Sequence, residues 1–235
     1  MHKEQYEKPL IIKHQSGLAN KFGRRHTMRT ISEIDGVKIK NIAKKFGSPV
    51  FVFSEPAIRK HYKDAVRSFS VRYPKVQFAW SYKTNYLDAV CQIFHQEGSW
   101  AEVVSEHEYQ MAIRNGVSGD KIIYNGPYKP VESIKQAIAD GANIHIDNYD
   151  EFYQIERIVK ESGQTLDVSI RLNMDTGIHP VWDRFGFNYD NGEAFDVLRR
   201  MAAGDSLRLK GVHSHIGTCV FEPTAYSQQV KKMSL

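Results

Sequence analysis

The stretch Ser99-Trp100-Ala101-Glu102-Val103-Val104-Ser105-Glu106-His107-Glu108-Tyr109-Gln110-Met111-Ala112-Ile113-Arg114-Asn115-Gly116 decides the fold. Trp100 to Val104 is an aromatic and β-branched run, the composition of a strand. Ser105 followed three residues later by Glu108 is a helix N-cap with its returning carboxylate. Residues 106–115 then carry apolar side chains at helical spacing, and Gly116 supplies the left-handed residue on which helices end. Strand, cap, helix and stop therefore form one βα unit.

The same rhythm extends in both directions from this unit. Strand-like runs recur at Val76 to Lys83, Lys121 to Asn125, Asn143 to Asp147, Asp167 to Asn173 and Leu209 to Ile216. Helical patterns follow near 86–97, 130–140, 149–162 and 193–203, and another begins near 223, with Gly141 marking the end of one of them. Upstream, Ile42 to Pro49 reads as a short helix stopped by Gly47 and Pro49, Val50 to Phe53 as an entry strand, and Pro56 to Phe69 as a helix. Strands that alternate with helices pair in parallel, because each crossover returns the chain to the same end of the sheet.

Polar residues fall at the C-terminal ends of many of these strands: Lys83, Ser105, Asn125, Asp147, Arg171, Asn173, His215 and Thr218. A (β/α) barrel gathers all such ends into one mouth. A doubly wound sheet would concentrate its ligand at one switch point with a G-x-G-x-x-G turn, which the sequence lacks. The expectation is an α/β fold of the TIM-barrel type with about six βα units, two strands short of a closed eight-stranded barrel.

The 235 residues, 41% hydrophobic and 25% charged, are enough for one large folded domain. The net charge of +5 lies within the first 29 residues, where seven Lys and Arg face two Glu. Residues 1–34 therefore read as a solvated basic arm and residues 35–235 as the barrel, with no nucleic-acid face through the fold. No apolar run is long enough to cross a bilayer, and the start lacks a secretory pattern. Cys91 and Cys219 form no disulfide framework and read as free thiols, so a cytoplasmic protein is expected.

Three groups carry the chemistry. Lys83 ends a largely apolar strand. An amine held in such a mouth becomes a nucleophile toward carbonyls, although a lysine snorkelling to water would look the same. His213 and His215 share a face by the period of two, suiting metal ligation, stacking on a planar ligand or a satisfied buried pair; Gly217 and Thr218 add donors for a phosphate. Arg171 needs an anion, either a ligand or an internal partner for which Glu102 is the candidate. Arg184-Phe185-Gly186 reads as a loop anchor before a second anion contact.

In their order, these motifs resemble the fold-type III pyridoxal-phosphate decarboxylases, the diaminopimelate, ornithine and arginine decarboxylase group. The resemblance covers roughly residues 35–235. Pro49 to Phe53 is similar to the family's entry strand, and Ser81-Tyr82-Lys83-Thr84-Asn85 to its cofactor-lysine motif. Ala101 to Ser105 with Glu108 resembles its second-strand motif, and His213 to Thr218 its histidine and phosphate motif. Glu102 stands where the family usually has Asp, and Thr218 where Ser is usual.

The resemblance implies an alanine-racemase-like barrel with pyridoxal 5'-phosphate as cofactor and no metal. Lys83 would be catalytic and bind the cofactor covalently, and His215 would stack on its ring. Glu102 and Arg171 would sit beside it, and Gly217 and Thr218 would hold its phosphate. It implies decarboxylation of a basic or diamino acid, with the diaminopimelate type favoured. It also implies that this stretch stops before the family's glycine-rich phosphate loop and C-terminal β-domain, and that the full-length form is a homodimer. The alternatives are a non-catalytic pyridoxal-phosphate-binding protein or inactive homologue and, on His213 and His215, a metal-dependent barrel hydrolase.

Overall fold

The computed structural model describes residues 30–177 and 182–234. Residues 1–29, which are most of the expected basic arm and the region read for a secretory signal, lie outside the described residues. The chain opens with a hairpin of β1 (Glu33–Ile34) and β2 (Val37–Lys38), followed by α1 (Ile39–Phe46) and α2 (Glu55–Ser70). The sheet and its helices then alternate: β3 (Ala79–Ser81), α3 (Asp88–Gln96), β4 (Trp100–Val103), α4 (Glu106–Arg114), β5 (Ile122–Tyr124), α5 (Val131–Ala139) and β6 (Asn143–Ile146). They continue as α6 (Tyr149–Ser162), β7 (Leu166–Asn173), β8 (Phe187–Asn188), α7 (Glu193–Ala203), β9 (Leu207–Ser214) and α8 (Pro223–Met233).

The seven strands β3 to β9 form one parallel sheet in the order β3-β4-β5-β6-β7-β8, with β9 also paired to β7. This is the expected α/β architecture with one strand more than the six units. Among the described residues β3 and β9 do not pair with each other, so the sheet is an open arc. β6 shows how it is layered. Ile144 and Ile146 are buried in the core, while His145, between them, meets His213 of β9 across β7. Helices cover the apolar face, with Phe152, Ile155 and Val159 of α6 recurring at three- and four-residue intervals on one buried stripe. Each fully buried Ile in this layer contributes about 1.5–3 kcal/mol of transfer free energy.

One carboxylate device recurs at the strand-to-helix turns. Ser105 Oγ accepts from Glu108 N, and Glu108 Oε2 in turn accepts from Val104 N. Asn148 Oδ1 accepts from Glu151 N, and Glu151 Oε2 from Asp147 N. Glu193, the first residue of α7, likewise accepts from Asn188 N at the end of β8. Each pairing satisfies backbone donors that a helix start leaves free and ties a strand end to the helix that follows.

Two expectations are corrected. Val50 to Phe53 is not a strand; it is irregular, and Phe51 is 91% exposed. β-forming residues become a strand only beside a partner, and among the described residues none pairs with them. With Ile34, Val37, Ile42 and Phe46 this segment lines an open apolar groove of about 420 Å³ that contains none of the strand-end residues named above. The first sheet strand also ends at Ser81, two residues earlier than expected, and Lys83 lies in the single 3₁₀ turn Tyr82–Thr84 that follows.

Candidate functional site

Parallel pairing places Ser81 of β3 beside Glu102 of β4, and Arg171 and Leu172 of β7 beside His213 and Ser214 of β9. These residues stand at or near the C-terminal ends of their strands. From the 3₁₀ turn Lys83 reaches toward β4, with Nζ 3.8 Å from Glu102 Oε1 and its side chain 39% exposed. Beneath it Tyr82 is fully buried and bonded to His95 Nε2 at 2.8 Å, while His95 Nδ1 lies 2.9 Å from Ser99 O. Since a carbonyl accepts only, Nδ1–H donates to it and Tyr82 O–H donates to Nε2. That bonding fixes the turn which carries Lys83.

Arg171 is buried, and its partner is Asp147, not Glu102: Nη1 donates to Asp147 Oδ1 at 3.0 Å. Asp147 directly follows β6, the strand beside β7. The Arg171 guanidinium also lies 5.1 Å over the Phe185 ring, and a side chain at Gly186 would begin 2.7 Å from Arg171 O. Asn173 Nδ2 donates to Phe185 O and Gly186 O. Phe185 and Gly186 thus anchor the loop to β7, whereas Arg184 is exposed and lies 5.5 Å over Trp182.

Behind Asp147 sits a buried ion pair that the sequence reading missed. Lys129 Nζ donates to Gly126 O, His145 O and Glu151 Oε1 at 2.6–2.9 Å, one acceptor for each ammonium hydrogen. Burial pushes the Lys129 amine down and the Glu151 carboxyl up, and each opposes the other's shift. Glu151 also holds Asp147 N, so Lys129, Glu151, Asp147 and Arg171 form one chain of contacts ending at the mouth. Asn148 followed by Glu151 repeats the Ser105–Glu108 spacing, the one sequence signal that pointed to it.

His215 is half-buried, with its ring edge-on to Trp182 at 5.5 Å. Burial, with the Lys83 and Arg171 cations adding to it and Glu102 opposing, holds its pKa below the usual histidine range. His213 lies deeper, 5.2 Å from His145. Desolvation and nearby cations lower His213 to about 2 and His145 to about 4. Among the described residues no three metal-ligating side chains converge. Gly217 adopts a φ of 129°, and Thr218 is exposed beside it.

These neutral imidazoles set an acid limit. The unfolded chain protonates His145 and His213 below the ordinary value of 6.5, whereas the native state does not until far lower. The unfolded state then binds more protons, so stability falls as pH drops from about 6.5 toward 4. Urea midpoints at pH 7, 5.5 and 4.5 are expected to decline, and His145→Asn is expected to flatten the decline. Parallel curves for the two proteins would contradict this assignment.

Several polar atoms at these strand ends are buried without a hydrogen-bond partner among the described residues: Ser81 Oγ, Glu102 Oε1, Arg171 Nε, His213 Nδ1 and Ser214 Oγ. Such atoms are normally satisfied, so a set of them at the strand ends suits a polar ligand. With an amine opposite a carboxylate at its rim, the site fits pyridoxal phosphate, and fold and site define a pyridoxal-type α/β barrel. Residues 57–235 match the family "Pyridoxal-dependent decarboxylase, pyridoxal binding domain", and the chain belongs to that family. It is 30% identical to diaminopimelate decarboxylase of Halalkalibacterium halodurans over 210 residues, 86% of this chain and 48% of the relative. The Bacillus subtilis enzyme is 28% identical with the same shares. The crystal structure of diaminopimelate decarboxylase from Methanocaldococcus jannaschii with L-lysine superposes with a TM-score of 0.78 at 27% identity, over 86% of this chain and 50% of that one. The chain spans about half the length of the curated relatives it matches.

Proposed function

We propose that this chain is the cofactor-holding barrel portion of a pyridoxal-phosphate-dependent decarboxylase acting on a diamino acid of the diaminopimelate type. The observation that carries the reading is the Lys83 amine 3.8 Å from the Glu102 carboxylate, at strand ends that also bear Arg171 and His215. Bound pyridoxal phosphate supplies an electron-accepting ring that stabilises the charge left when a substrate loses carbon dioxide.

The chain's own groups do the rest. Lys83 Nζ would hold the cofactor through its amine, the carbonyl oxygen leaving as water, and would be placed to carry a proton, with the Glu102 carboxyl group beside that amine. Neutral His215 presents an uncharged ring face to an aromatic plane. Arg171, held by Asp147, keeps Nε–H free for an acceptor in the mouth, while the Gly217 backbone and the Thr218 hydroxyl supply donors suited to a phosphate. In this reading residues 1–34 are a basic arm ahead of a barrel portion over 35–235, and the working protein is a cytoplasmic homodimer.

The test is carbon dioxide release from meso-diaminopimelate, lysine, ornithine and arginine by the natural polypeptide that carries this sequence, supplied with pyridoxal phosphate. Turnover of meso-diaminopimelate above the other three is expected. Cofactor binding with no carbon dioxide from any amino acid would overturn the decarboxylase reading in favour of a pyridoxal-phosphate-binding protein.

A further inference from the structure

Tyr82 and Lys83 share the single 3₁₀ turn after β3, and their side chains part: Lys83 is 39% exposed beside Glu102, whereas Tyr82 is 0% exposed in the core. The Tyr82 hydroxyl donates to His95 Nε2 at 2.8 Å and accepts a longer bond from Asn115 Nδ2 at 3.4 Å. His95, in the last turn of α3, donates from Nδ1 to the carbonyl of Ser99, the residue before β4 begins. One imidazole thus joins the turn that bears the amine to the strand that bears its carboxylate partner.

The protonation states suit this bridge. Burial raises the Tyr82 phenol, which stays a donor, and lowers the His95 imidazole, which keeps Nε2 as an acceptor while its bond to Ser99 opposes the shift. A short 3₁₀ turn has poor hydrogen-bond geometry of its own, so an anchor outside it decides where it sits.

We infer that Tyr82 is a positioning residue of the site: its bond to His95 sets the place of the turn, and with it the rate at which Lys83 Nζ meets the cofactor carbonyl carbon. The inference rests on the function proposed above and deepens it. In the step concerned the amine nitrogen bonds that carbon, and its two hydrogens leave with the carbonyl oxygen as water. Displacing a reacting group by about 1 Å can cost about 10²-fold in rate, and losing one hydrogen bond costs about tenfold in an equilibrium.

The experiment mixes the natural polypeptide that carries this sequence, freed of cofactor, with pyridoxal phosphate and follows the growth of visible absorption. Borohydride then delivers hydride to the carbon, fixing the link as a secondary amine, and mass mapping identifies the labelled lysine. Tyr82→Phe keeps the ring and removes the donor. His95→Asn keeps a donor for Ser99 O and removes the acceptor, so it tests the same bond from the other side. Tyr109→Phe is the control, because Tyr109 is equally buried and its hydroxyl donates at 2.7 Å to Asp140, away from the turn.

All three variants are expected to melt earlier than wild type. Attachment at Lys83 is expected to slow about tenfold or more in Tyr82→Phe and in His95→Asn, to be no slower in the double variant, and to keep the wild-type rate in Tyr109→Phe. Wild-type rates in Tyr82→Phe and His95→Asn would overturn the inference, leave the proposed function standing and reduce the bond to a contribution to stability. Equal slowing in Tyr109→Phe would overturn it too, since the rate would then follow stability alone. A wild-type protein that is never labelled at Lys83 would overturn the proposed function, and this inference with it.

Discussion

Lys83→Ala protein mixed with pyridoxal phosphate is expected to show none of the visible absorption that a lysine-bound cofactor gives, while wild type shows it at once. In the proposed function the amine of Lys83, which stands 3.8 Å from Glu102, is the group that would bond the cofactor. Removing it deletes both the attachment and a proton carrier, and loss of a positioned proton-transfer group alone costs about 10²–10⁴-fold in rate. A decarboxylation rate at least about 10³-fold lower is therefore expected in the natural polypeptide that carries this sequence. The fold is expected to survive, because the side chain is substantially exposed and exposed pairs contribute little to stability. An unchanged melting temperature with no absorption band confirms the assignment; a mutant that keeps the band would remove Lys83 from the site.

Lys129→Met is expected to have the largest effect on stability. Lys129 is fully buried and uses all three ammonium hydrogens, so its loss leaves Glu151 as a buried carboxylate without a counter-charge and two carbonyls without a donor. Breaking a buried pair from one side costs about 3–5 kcal/mol. For a chain of this size that corresponds to a fall of roughly 6–20 °C in melting temperature. Replacing both partners, Lys129→Met with Glu151→Met, removes the stranded charge and is expected to recover part of the loss.

The pH dependence of the single variant carries a sign. Burial already raises the Glu151 carboxyl, and without Lys129 nothing cationic so close restrains it. The native state then binds a proton that the unfolded state releases above the ordinary carboxyl range. The Lys129→Met penalty should therefore shrink as pH falls toward about 5 and grow as it rises. A penalty independent of pH, or a double variant no better than the single one, would show that the pair is not what Lys129 supports.

What the sequence made legible was what is decided locally. Helices α4, α6 and α7 begin and end within a residue of their expected bounds, because caps such as Ser105 with Glu108, and stops such as Gly116, act within a few residues. The order of strands was readable for a similar reason, since β-branched runs between such helices have few other places to go. Val50 to Phe53 was misread because strand formation depends on a partner that local composition does not reveal. β8 was missed because two residues carry no period. At the site, Lys83, Arg171 and His215 stood out as polar groups at strand ends and Glu102 through the family resemblance, but the partner of Arg171 did not. Asp147 lies 24 residues from Arg171, and Lys129 22 from Glu151, so only the pairing of neighbouring strands brings them together.

The three returning carboxylates, Glu108, Glu151 and Glu193, bear on how such a site can change. Each clamps the base of a strand-to-helix turn, so the backbone that presents the chemistry is held at several points around the rim. Variation in what the mouth accepts is thereby steered away from these turns. Between Asn173 and Phe187 the described residues are held by Asp175, whose N–H donates to Asp190 Oδ2, and by Phe185 and Gly186, whose carbonyls accept from Asn173. Under the proposed function, a rim held this way keeps the backbone around the mouth constant while the side chains it presents can vary.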